Sequence, residues 1–102
     1  MDIFTIDYIQ EITAKYFSID KDDLISSKRT KNIIFARQIS MYLCRELGHA
    51  SFNEIGDKFG NRDHVIVIYA CNIINKKIET NETIRLIADS LKNVISENIY
   101  QY

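Results

Sequence analysis

A chain of 102 residues with no proline and three glycines is poorly suited to a turn-rich β fold, and its 46% hydrophobic content is enough for one packed core. No apolar run approaches the roughly 20 residues that a membrane-spanning helix needs, and the first residues lack the basic stretch of a signal peptide. The net charge of −1 hides a segregation: residues 1–27 carry six acids against two bases, whereas residues 28–45 carry Lys28, Arg29, Lys31, Arg37 and Arg45 with no acid.

Apolar residues at Ile6, Ile9, Ile12, Ala14 and Phe17 recur at spacings near three and four, which predicts an amphipathic helix over 5–17 with Thr5 or Asp7 as its cap. Residues 20–26 read as a short helix with Asp20 as N-cap, acids in the first turn and Leu24 and Ile25 turned inward. A basic loop follows over about 26–32. Screening confines each charge to about 10 Å, so this stretch attracts phosphate whatever the total charge. The longest clear helix spans 33–47, with Ile39, Tyr42, Leu43 and Leu47, and Ile34 or Phe35 before them, on its apolar stripe. Gly48 fits the position just past its end.

Residues 51–59 carry a capping box, Ser51 with Glu54, and an inner face of Ile55 and Phe59. Gly60 supplies a turn, and Arg62 or Asp63 opens a helix to about Lys77 that buries Val67, Ile68, Cys71, Ile74 and Ile78. Tyr42, Phe59 and Tyr69, at helical spacing, read as packing residues. A last helix, capped by Asn81 or Thr80, runs to about Asn98 with Ile84, Ile87, Ala88, Leu91 and Ile95 inward, and Tyr100 and Tyr102 fall in a frayed tail. The reading is one all-α domain over 1–102, with about six helices and a helix-turn-helix over about 51–78. Cys44 and Cys71 fall in apolar patterns and read as reduced thiols of a cytoplasmic protein; no spacing with His49 or His64 suggests a metal.

A helix fits the major groove of B-DNA, and its first turn comes closest to the bases. Asp63 can accept from the cytosine amine, and His64 can donate to a base acceptor or pack on a thymine methyl. Arg62 and Arg45 can hold phosphates, Ser51 or Asn53 can add neutral backbone contacts, and a loop arginine can enter a narrow minor groove.

Residues 37–47, Arg37 to Leu47, followed by Ser51-Phe52-Asn53-Glu54-Ile55-Gly56 and Asn61-Arg62-Asp63-His64, resemble the C-terminal DNA-binding domain of the bacterial replication initiators of the DnaA family. The stretches 16–19 and 24–29 fit the same domain's first helices and basic loop, so the resemblance covers roughly residues 4–96. It implies binding to double-stranded DNA at a DnaA box, with Arg29 in the minor groove. It places Arg37 against a base or the backbone, Gln38 and Arg45 on phosphates, and Phe52 and Asn53 at the DNA backbone. It makes Asp63, His64 and Val65 the major-groove readers.

Val65 and Ile66 stand where that family has two threonines, and Phe35-Ala36 where it often has Arg-Pro. The change predicts weaker or relaxed box recognition, since each lost neutral hydrogen bond costs roughly 0.5–1.5 kcal/mol. An alternative expectation is a protein-interaction module that uses the apolar Val65-Ile66 surface. The chain lacks a G-x-x-x-x-G-K-[ST] loop and any Ser-His-Asp or paired-carboxylate constellation, so neither an enzyme nor a cofactor is expected here. An ATPase module is expected elsewhere in the same protein if this chain is a piece of a longer initiator, as its start near a domain boundary suggests.

Overall fold

The computed structural model describes residues 4–98; Tyr100 and Tyr102 lie outside them. The described residues form α1 (Ile6–Tyr16), α2 (Lys21–Ile25), α3 (Lys31–Glu46), α4 (Phe52–Lys58), α5 (His64–Thr80) and α6 (Glu82–Asn98), with no strand among them. Side-chain oxygens set most helix starts. Thr5 accepts from the Tyr8 amide, Thr30 from Ile33, Asp63 from Val65, and Asn81 from Ile84. Asp20 occupies the N-cap of α2 without making such a bond.

Thr30 starts α3 two residues earlier than its apolar pattern indicates, which shortens the basic loop to residues 26–30. Apolar periodicity marks the first buried residue, Ile33, whereas the cap lies a turn upstream. The expected stripe on α3 is also too narrow a description. Ile39, Ser40, Met41, Tyr42, Leu43 and Cys44 are all buried in succession, because α3 is enclosed by α1, α2, α4 and α5. α5 packs on α3 and α4, and α6 closes the far side against α5 and α1. Each fully buried Ile or Leu in this core contributes roughly 1.5–3 kcal/mol.

Two polar tethers fix α1. The buried Gln10 donates from Nε2 to the Lys58 carbonyl at 2.9 Å, and the Tyr8 hydroxyl donates to the Ile95 carbonyl at 3.0 Å. Past α3, Gly48 occupies the expected position, but His49 takes the left-handed conformation, with φ of 52°. Two side chains expected inside point outward. Ile25 is 39% exposed and Tyr69 60% exposed. Tyr69 lies two residues from both Val67 and Cys71, which places it on the opposite side of α5 from the buried stripe. Both cysteines are buried and free, and burial pushes the Cys71 thiol up to about 11 and the Cys44 thiol higher still.

Candidate nucleic-acid interface

The helix-turn-helix is built from α4, a tight turn and α5. Ser51 accepts from the Glu54 amide at 3.1 Å while the Glu54 carboxylate accepts from the Ser51 amide at 2.9 Å, so both halves of the capping box are made. That bond to the Ser51 amide holds the Glu54 carboxyl below the usual carboxylate range. Gly60 then turns with φ of 73°, and a Cβ there would press on the Ile25 carbonyl at the end of α2. A glycine is needed both for that conformation and for that close approach.

Asp63 begins α5. Its Oδ1 accepts from the Val65 amide at 2.9 Å and lies 3.0 Å from His64 Nδ1. Both side chains are at least half exposed, and Val65 and Ile66 beside them are 59% and 49% exposed. The first turn of α5 therefore presents an acid, an imidazole and two branched aliphatic side chains to solvent.

The basic loop lies against that turn because two arginines bind its carbonyls. Arg62 donates from Nη2 to the Ser26 carbonyl at 2.6 Å and from Nη1 to the Phe59 carbonyl at 2.5 Å. Arg37 is buried, and donates from Nε to the Leu24 carbonyl at 2.8 Å and from Nη2 to the carbonyls of Asp23, Ser26 and Lys28 at 3.0 Å. Burial first, then the nearby Arg62 and Arg29 charges, lower the Arg37 pKa from the ordinary arginine value. Lys28 pairs with Asp23 at 2.8 Å, which lowers the Asp23 pKa and raises that of Lys28.

The structure therefore brings Arg29, Arg37, Gln38 and Arg62 together, with Ile66 and Tyr69, around a cleft of about 220 Å³ between the loop, α3 and α5. Arg29 is exposed, and among the described residues no hydrogen bond or ion pair engages its guanidinium. Arg45, Ser51, Phe52 and Asn53 form a separate group where α3 ends and α4 begins. Arg45 donates to the Ala50 carbonyl at 2.9 Å and lies 4.2 Å over the half-buried Phe52 ring, while Ser51 and Asn53 are exposed. Sequence reasoning assigned Arg37 and Arg62 only to contacts with nucleic acid and missed these internal bonds. Their carbonyl partners lie up to 36 residues away, and no spacing signals them. Tyr69 was missed as a surface residue, although its helical position away from Val67 and Cys71 carries that signal.

The arrangement offers fixed cations beside a helix end that has donors, acceptors and apolar groups, which suits a polyanion with a readable groove. Comparison with known proteins agrees with this geometry. The pattern of the bacterial dnaA protein helix-turn-helix matches residues 6–74. The chromosomal replication initiator protein DnaA of Treponema denticola is 46% identical over 94 residues, which cover 92% of this chain and 20% of that protein. The chain thus spans about a fifth of the length of that curated relative. With the helix-turn-helix, its capping box and the arginine-tethered basic loop all in place, the chain belongs to the bacterial DnaA helix-turn-helix family.

Proposed function

We propose that this domain binds double-stranded DNA at DnaA-box-like sites, in the initiation and regulation of chromosomal replication. The amino end of α5 lies in the major groove and Arg29 enters the adjoining minor groove. One observation carries the reading: the Arg62 bond to the Ser26 carbonyl joins the basic loop to the turn before α5, so the two proposed groove readers are tethered side by side. Family membership and the 46% identity to a replication initiator support it. The exposed cations Lys28, Arg29 and Lys31 supply the attraction to phosphate. As part of a longer protein, the domain would work in the cytoplasm beside an ATPase module; the relative it matches is about five times as long as this chain.

Fluorescence anisotropy with a consensus box and a scrambled duplex tests the proposal. The box binds more tightly, and affinity for both falls steeply with salt as counterions are released. Equal affinity for the two duplexes rejects sequence-specific recognition.

A further inference from the structure

The arginine cleft does not end at α3. Ile34 and Gln38, which line it, also line a second groove between α3 and α5, completed by Lys31, Phe35 and Lys77. No carboxylate lies among the described residues that line this groove. Lys31 and Lys77 are exposed and, among the described residues, make no ion pair, whereas Lys21, Lys28 and Lys58 each face an aspartate. Lys77 is nonetheless positioned. Its Nζ lies 5.9 Å over the Phe35 ring, and that ring meets Phe17 edge to face with centroids 5.6 Å apart. The half-buried ring draws the ammonium over α3 without neutralising it.

Ile66 in the cleft and Lys77 in the groove are three helical turns apart on α5, so they share one side of it at a separation of about 16 Å. That span is roughly half a helical turn of B-DNA. With the first turn of α5 in the major groove, Lys77 lies beyond the base pairs read there. Phosphate oxygens are the anions that a duplex offers at such a place. We propose that Lys77 and Lys31 clamp a backbone phosphate of the duplex that flanks the recognised site, with Gln38 joining the two contact regions. The groove thereby lengthens the footprint on DNA without adding sequence preference. This inference rests on the DNA-binding reading above.

Neutral phosphates isolate the contact. In a duplex with the box at its centre, each flanking phosphate in turn is replaced by an uncharged methylphosphonate, and affinity is read by fluorescence anisotropy at low salt. The parent protein should lose roughly two- to fivefold in affinity at neighbouring positions on one side of the box. Lys77→Ala should lose about as much on the unmodified duplex and respond far less to the methylphosphonate at those positions. It should keep the parent's ratio of box to scrambled affinity, because a phosphate contact carries no sequence information. Its slope of log K against log salt should be shallower by roughly 0.9. Lys76→Ala removes the same charge one position away, outside the groove, and should keep the parent's response to the flanking methylphosphonate. No flank response in the parent, a response unchanged in Lys77→Ala, or one lost equally in Lys76→Ala overturns the clamp and leaves DNA binding intact. If the parent binds no duplex, the DNA-binding reading falls and the clamp falls with it.

Discussion

Arg29 and His64 differ from Arg37 and Arg62 in how free they are. Arg37 and Arg62 are held by backbone carbonyls, whereas the Arg29 guanidinium is exposed and the half-exposed His64 ring pairs with the Asp63 carboxylate beside it. Arg29→Ala is therefore expected to weaken binding to the box about tenfold through loss of the minor-groove contact, and to flatten the salt dependence slightly. His64→Ala should instead narrow the gap between box and scrambled duplexes, by roughly 1–3 kcal/mol of discrimination. Anisotropy titrations of both variants on both duplexes separate the two effects. At this scale the sequence was informative where a role follows from position along one helix, as for Asp63, which caps α5. It was silent where a side chain reaches across the fold. The Arg37 carbonyl partners lie 9 to 14 residues upstream, and only the packing of α2 on α3 brings them within reach.

Helix ends and the bonds between elements decide how the interface is held. Arg62 joins the turn after α4 to the loop after α2, and nothing in the local sequence around it signals that it does so. Arg62→Ala should lower stability by about 1.5–3 kcal/mol, the range for hydrogen bonds that involve a charged group. It should also speed amide exchange in residues 26–30, read by hydrogen-exchange NMR, while the α5 core stays protected. The capping box of α4 gives a pH signature. Because the folded-state Glu54 pKa is depressed, its contribution is complete above the ordinary glutamate value and is lost as pH falls through the lower folded-state value. Glu54→Gln keeps an acceptor for the Ser51 amide but cannot titrate, so its Tm should change less than the parent's between about pH 5 and pH 3. A Tm profile of the same slope in both proteins contradicts this. The six helices and the capping box were legible because periodicity and cap chemistry are local. The outward turn of Ile25 and the packing of four helices around α3 were not, since both depend on which helices meet there.

At the scale of the whole molecule, one core carries both halves of the interface. Phe59, the largest fully buried side chain, sits at the end of α4 and gives its carbonyl to Arg62, so core and turn meet at one residue. Phe59→Ala should cost about 3–5 kcal/mol, a large part of the roughly 5–15 kcal/mol that a domain of this kind possesses. The urea midpoint should drop accordingly with little change in the slope. The charge segregation visible in the sequence becomes spatial, because the acids of residues 1–27 lie mainly on α1 and α2 while Arg29, Arg37 and Arg62 converge on the cleft beside α5. Chemical-shift mapping of the labelled domain with a box duplex tests the central claim most directly. The account predicts that the perturbed amides cluster in residues 28–31 and 62–69; perturbation centred on α1, or none at all, would contradict it.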